Sequence, residues 1–403
     1  MKKKRKSKRK IRFSVIIPLF ILVLILGGIV YTCTGSNTYT LYDNGEMIGS
    51  YKRFPIALFK MNTLDSDMAY ITNQDGKALA LKEGIVNFKT KDVSENTLYE
   101  TKNGDGYLNG NYGVDGYYIK TNLQGTKVQF MMSGVTGWVN IEDIQLYLLD
   151  DSLSTSYYVN YDSTLYHMIT SDISGGSYSG WPIGVAPDFM EEDTPYYSYD
   201  GLYFYESLNA IKEGHAINKK AFYNFYQYLP HETKTSITVD TLNNFLYDIK
   251  GITEQASWYP CLDNQSSLYG IADDFYNAQQ KYGTNAAMMM SVAINESGYG
   301  QSQYSILNNN LFGHAVYDAS PDDANRYTSI QDCINAHAKY FLKEGYCNKK
   351  DDRYNGSWFG NKESGINVNY ASDPYWGEKA ASFYFQLDQM NDFVDYNSIE
   401  FKH

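Results

Sequence analysis

The chain has 403 residues, enough for two or three domains, and a hydrophobic content of 43% that can fill real cores. Its mean hydropathy of −0.45 excludes a polytopic membrane protein. The formal net charge of −12 hides an asymmetry: residues 1–12 hold nine Lys or Arg and no acid, so the remainder carries about −21, which argues against nucleic acid as a partner.

That basic run abuts Phe13–Cys33, 21 residues without a charge, long enough to cross about 30 Å of hydrocarbon. Positive charge on the N-terminal flank predicts a transmembrane signal anchor with its N-terminus in the cytoplasm and the rest outside the cell. A cleaved signal peptide is the alternative, but its apolar region would be shorter and end in an A-x-A-like cleavage site, absent here. Residues 34–150 are short, alternating segments with turns written in Asn103-Gly-Asp-Gly106 and Gly110-Asn-Tyr-Gly113. Gly134-Val-Thr-Gly-Trp-Val139 resembles bacterial SH3-like wall-associated domains, which implies a small β-barrel that either touches peptidoglycan or acts as a spacer. After a polar junction at Asp151–Ser156, an aromatic, strand-like stretch spans residues 155–205 within a second unit, 151–403. The chain then turns helical over 206–403. Thr238 or Asp240 can cap a helix through Leu242 and Leu246.

The most informative stretch is Asn285-Ala-Ala-Met-Met-Met-Ser-Val-Ala-Ile-Asn-Glu296-Ser-Gly-Tyr-Gly. Its first half is apolar on every side, so it reads as a helix inside a core, capped by Thr284 or Asn285 and stopped by Gly298. Glu296 then falls in the last turn, where the helix dipole and burial both raise a carboxyl pKa. An acid that keeps its proton near neutrality can donate it to a leaving group. A solvent-exposed surface Glu is the ordinary alternative. Ser329-Ile-Gln-Asp332 resembles a capping box, and Ile330, Cys333, Ile334, His337 and Phe341 share one face, which makes His337 a core residue. A last helix is expected to open with Asp373 as N-cap and Pro374 first inside, burying Ala380, Phe383, Tyr384, Leu387 and Met390.

Glu296-Ser-Gly-Tyr-Gly-Gln-Ser and Asn308-Asn-Asn-Leu-Phe-Gly313 together resemble the glucosaminidase family of bacterial cell-wall hydrolases and autolysins. The likeness recurs in Tyr196-Tyr-Ser-Tyr-Asp-Gly-Leu-Tyr-Phe-Tyr205, in Tyr226-Gln-Tyr-Leu-Pro230 and in Asn369-Tyr-Ala-Ser-Asp-Pro374. It implies a lysozyme-like, mainly α catalytic domain and an endo-β-N-acetylglucosaminidase. The whole chain is thus expected to be an α+β multidomain protein: transmembrane helix, SH3-like β-barrel, lysozyme-like domain. Glu296 is the expected general acid and Tyr370 the next catalytic candidate, through a phenol that contacts the acetamido group or steadies an oxocarbenium-like state. Asn309, Phe312, Tyr327, Asp373 and Trp376 are candidate substrate contacts, although Asp373 has a capping role and Trp376 a core role that compete. Asp318, Asp322 and Asp323 are within reach as a second acid, yet an acetamido sugar can supply its own nucleophile. Leu202 stands where the family pattern suggests His.

Six His without a paired ligand motif and four Cys without C-x-x-C predict no metal and no cofactor. Cys333 and Cys347 are either paired or free. The expected partners are peptidoglycan glycan strands, the membrane and, unidentified, a membrane protein. A lytic transglycosylase or muramidase on the same fold is the nearest rival, and a non-catalytic glycan-binding scaffold the second.

Overall fold

The computed structural model describes residues 37–150, 152–255, 264–314 and 325–402. The first sheet holds β1 (Tyr39–Asp43), β2 (Glu46–Tyr51), β3 (Ala69–Thr72) and β4 (Ala78–Leu81) in the order β2-β1-β3-β4. Its opening hairpin turns on Asn44-Gly45, both at positive φ, the backbone that matches the twist of paired strands. Helix α1 (Phe54–Asn62) packs on this sheet. The second sheet comprises β5 (Gly84–Asn87), β6 (Thr97–Thr101), β7 (Gly104–Leu108), β8 (Asp115–Thr121), β9 (Lys127–Met132), β10 (Val135–Asn140) and β11 (Gln145–Leu148). Its order is β11-β5-β8-β9-β10-β6-β7. Leu41, Phe54, Ile71, Val86, Phe130 and Val139 belong to one core shared by both sheets.

Two expectations are corrected here. The β-rich unit is two open sheets, not a small closed barrel, because edge strands β7 and β11 do not pair with each other. Alternating burial identifies strands, but closure depends on tilt and stagger, which alternation does not encode. The expected transmembrane helix also finds no support: no helix of the described residues is long and apolar enough to cross a membrane. Phe13–Cys33 lies outside those residues, and the single-pass, outward-facing placement that rested on it is withdrawn with it.

The aromatic stretch forms a third sheet, β12 (Tyr157–Tyr161), β13 (Thr164–Thr170), β14 (Tyr178–Val185) and β15 (Pro195–Tyr196), ordered β14-β13-β12-β15. Short helices α2 (Leu208–Glu213) and α3 (Phe225–Tyr228) lead into α4 (Val239–Lys250), α5 (Ala272–Tyr282), α6 (Ala286–Ser297) and α7 (Gln303–Leu307). Then come α8 (Ile330–Ala336), continuing as the π-helical α9 (His337–Tyr346), α10 (Asn367–Tyr370), α11 (Trp376–Gln389) and α12 (Val394–Ser398).

Helix α6 is the centre of this core. Asn285 caps it by accepting from the Met288 N–H, and all but Asn295 and Glu296 of its residues are buried. That is why its sequence shows no polar face. Helix α11 packs against α6 on one side and β14 on the other, so it joins the third sheet to the helical core. It starts at Trp376, two residues later than expected: the Asp373 carboxylate accepts from the Tyr375 N–H (2.8 Å) in a turn that precedes the helix. Of the expected inner face, Ala380, Phe383, Tyr384 and Leu387 are buried, while Met390 is half-buried just past the helix end. Below it, His167 Nδ1 and Glu378 Oε2 lie 2.5 Å apart, and the Tyr158 hydroxyl donates to Glu378 Oε1 (2.8 Å). Cys333 and Cys347 are both free thiols.

The β-rich unit meets the helical core chiefly at the turn between β9 and β10 and at the end of β7. Ser133 and Gly134, both at positive φ, link β9 to β10. The Ser133 hydroxyl donates to the Pro374 carbonyl (2.6 Å), and the Ser133 carbonyl accepts from the Lys362 N–H (3.0 Å). Nearby the Asn109 N–H donates to the Ser372 carbonyl (2.8 Å). These contacts all fall on the loop between residues 361 and 375.

Candidate active site

Glu296 closes α6, and the chain leaves it through three consecutive left-handed residues, Gly298, Tyr299 and Gly300. Gly300 is required for a second reason: a Cβ there would sit 2.8 Å from the Leu268 nitrogen. Ser297 locks the turn, its hydroxyl accepting from the Gly300 N–H (2.7 Å) and donating to the Ala293 carbonyl (2.5 Å). The Glu-Ser-Gly-Tyr-Gly wording is therefore the recipe for a tight exit that leaves the Glu296 side chain half-buried at a helix end.

Its carboxylate is held by Trp376, whose indole N–H donates to Oε1 at 2.5 Å, with Asn295 at 3.4 Å. Burial pushes the Glu296 pKa up to about 7; the N–H groups of Trp376 and Asn295 pull it down, and the negative charge of Asp373 adds to the rise. A carboxyl in this state is part acid and part base at neutral pH. Gly313, at φ +63, lies over the other oxygen: a Cβ there would stand 3.4 Å from Glu296 Oε2.

Tyr370 completes the cluster. Its ring packs 4.6 Å from that of Trp376 and its hydroxyl donates to the Phe312 carbonyl (3.0 Å). Burial, with the neighbouring charge of Glu296, holds this phenol well above its ordinary pKa, so it keeps its proton. The loop from Asn308 to His314 is built by its asparagines. Asn310 is buried, accepting from the His314 N–H and donating to the His314 and Asn325 carbonyls. Asn309, at positive φ, donates to the Tyr327 carbonyl (3.0 Å). Phe312 lies flat on His337 at 3.7 Å, and His314 lies flat on Phe341 at the same separation. His314 Nδ1 meets the Tyr327 hydroxyl (2.6 Å) and its Nε2 meets His337 Nδ1 (3.1 Å). Burial lowers the His314 pKa to about 3 and that of His337 well below its usual value, so both rings are neutral.

The structure thus gathers Glu296, Trp376, Tyr370 and the Phe312–Gly313 backbone into one place. Trp376 is 3% exposed, so its ring is packed and its N–H serves the carboxylate. Asn309 and Tyr327 stand one layer away as the walls of the 308–314 loop. Asp373 acts on Glu296 through its charge, and its Oδ2 pairs with Lys379 Nζ at 2.5 Å. Asp318, Asp322 and Asp323 lie outside the described residues. Sequence reasoning missed the Trp376 donor, Gly313, His314 and Lys362. The Trp376 role had a legible signal, since a buried indole N–H must find an acceptor.

A groove of about 910 Å³ separates the second sheet from the helical core. Tyr99, Tyr107 and Trp138 line it on the sheet side, and Val368 and Asn369, beside Tyr370, on the other.

Residues 272–389 match the glucosaminidase family, described as mannosyl-glycoprotein endo-β-N-acetylglucosaminidase. The match contains Glu296, Gly313, Tyr370 and Trp376, and ends where α11 ends. Two proteins of Streptococcus pneumoniae, both provisionally named endo-β-N-acetylglucosaminidase, are 28% identical over 265 residues, 65% of this chain. The chain spans about a third of the length of these relatives (34% and 32%). Among solved structures, a catalytic mutant of S. aureus autolysin E with the disaccharide NAG-NAM is 21% identical, covering 47% of this chain and 82% of that one, with a TM-score of 0.33. The same autolysin with a muropeptide is 20% identical over 49% and 84%, with a TM-score of 0.32.

Proposed function

We propose that this chain is a peptidoglycan hydrolase that cuts the β-1,4 bond following N-acetylglucosamine, with Glu296 as general acid. The observation that carries this reading is the Glu296 carboxyl itself: half-buried, near pKa 7, and fixed by one indole N–H. The glucosaminidase match over 272–389 and the names of the pneumococcal relatives support the substrate class.

Glu296 gives its proton to the glycosidic oxygen as the bond to the anomeric carbon breaks. The acetamido oxygen of the same sugar attacks that carbon, so no second carboxylate is needed. Water then opens the cyclic intermediate, losing its proton to the Glu296 carboxylate, which restores the acid. The Trp376 N–H stays on Oε1 throughout and steadies the charge that appears there. Tyr370, a phenol whose proton goes to the Phe312 carbonyl, keeps an oxygen lone pair that accepts from the acetamido N–H of the reacting sugar.

Digestion of purified glycan strands followed by reducing-end analysis tests this. Terminal N-acetylglucosamine is the expected product. Anhydro-muramic ends would replace it with a transglycosylase, and wall-binding without any new ends would reduce the chain to a scaffold.

A further inference from the structure

Lys362 is 3% exposed and spends all three ammonium protons on backbone carbonyls: Asn367 (3.1 Å), Val368 (3.2 Å) and Ala371 (2.9 Å). Among the described residues no carboxylate comes within ion-pair distance of it. A buried cation without a counter-ion is a costly thing to keep, and apolar packing would serve stability better. Its neighbours explain what it does. The three carbonyls belong to α10 and the residue after it, the single turn that carries Tyr370. The last carbonyls of a helix have no partners inside it, and a cation beyond the C-terminus satisfies both their hydrogen bonding and their dipole.

Lys362 is itself held from the β-rich unit. Its N–H donates to the Ser133 carbonyl (3.0 Å), and its ammonium lies 4.6 Å from the ring centroid of Tyr107. The Tyr107 hydroxyl in turn donates to the Asn369 carbonyl (3.2 Å). Four of the five carbonyls from 367 to 371 are thus gripped by two side chains, one rooted in each unit. The backbone on both sides of Tyr370 is thereby held, and its hydroxyl donates to the Phe312 carbonyl.

We infer that Lys362 is a positioning residue for glycan cleavage, fixing the turn that holds Tyr370 against Trp376 and Phe312. This rests on the function proposed above for Glu296 and Tyr370. Burial also lowers the Lys362 pKa to about 8, with the charge of Asp373 opposing the fall, so the clamp weakens in mild alkali.

The test uses the whole chain with Lys362→Met and Lys362→Arg, each alone and combined with Tyr370→Phe, on purified glycan. Lys362→Met is expected to lower kcat ~10–100-fold with KM within ~3-fold, the size of a sub-ångström misplacement at a reacting centre. In the Tyr370→Phe background the same change is expected to cost less than ~3-fold, because the two residues act as one unit. Lys362→Arg keeps charge and donors and is expected to recover most of the lost rate. Equal losses in both backgrounds, or a wild-type kcat in Lys362→Met, would overturn the inference. Should Lys362→Met not fold, Lys362→Gln, which keeps an N–H donor but loses the charge and two of the three bonds, decides: a kcat loss at unchanged KM that shrinks in the Tyr370→Phe background is expected, and a wild-type kcat counts against the clamp. A wild-type chain that releases no N-acetylglucosamine ends sinks the proposed function and this inference with it. A chain that cuts but shows additive losses sinks only the inference.

Discussion

The indole nitrogen of Trp376 lies 2.5 Å from Oε1 of Glu296, across 80 residues of sequence, and sets the state of that carboxyl against the burial that raises it. Removing the donor while keeping a flat apolar ring isolates its effect. Trp376→Phe is expected to raise the Glu296 pKa above about 7, because the lost N–H favoured the ionised form. The alkaline limb of kcat/KM should move to higher pH by ~0.5–1 unit, with kcat reduced ~10-fold by the looser carboxyl. A limb that stayed in place would show that another group controls it.

Glu296→Gln is expected to lower turnover by at least ~10³-fold while stabilising the fold in alkali. The folded pKa lies above the ordinary value of 4.5, so the protonated form is favoured in the native state. Stability from this group is full below pH 4.5, is lost as pH rises toward 7, and is gone above it. The amide never ionises, so the variant should exceed the parent by about 3 kcal/mol at pH 8 and match it at pH 4. Urea melts at the two pH values measure this directly.

Gly313→Ala puts a methyl group 3.4 Å from Glu296 Oε2 on a backbone at φ +63. The left-handed conformation costs a non-glycine residue about 1 kcal/mol, and the methyl comes into van der Waals contact with the oxygen that must approach the sugar. A Tm drop of a few degrees with a kcat loss of ~10-fold or more is expected. An unchanged kcat beside a lowered Tm would mean the oxygen facing Gly313 is not the reactive one.

His167→Ala strips Glu378 of a partner 2.5 Å away in a layer where both side chains are buried. Only the Tyr158 hydroxyl remains on that carboxylate among the hydrogen bonds described. Leaving a buried acceptor short of a hydrogen-bond partner costs about 1–3 kcal/mol, so denaturation should occur at lower urea. Because Glu378 sits in the first turn of α11, two residues after Trp376, activity is expected to fall with stability rather than before it.

Much of the helical core was legible in order. The stretch from Asn285 to Gly298 announces a buried helix by its lack of a polar face, its cap and its stop, all set by near neighbours and burial. Ser329 caps α8 as its spacing suggests, and His337 lies on the apolar stripe, stacked on Phe312. The start of α11 was misread by two residues because Asp373 can bond a turn N–H as readily as a helical one. The barrel was misread because alternation in residues 34–150 shows which side chains are buried without showing where the sheet ends.

Taken alone, the order of residues determined that a carboxyl would stand at the end of an inner helix, followed by a turn that glycines favour. Short-range sterics and burial periodicity suffice for that. What stands around the carboxyl was decided by tertiary packing: Trp376 on its oxygen, Gly313 over it, and Tyr370 in a turn held by Lys362 nearby and by Tyr107 from a sheet distant along the chain. Such contacts are the outcome of how layers stack. The proton affinity of Glu296 follows from the low-dielectric surroundings that this stacking creates.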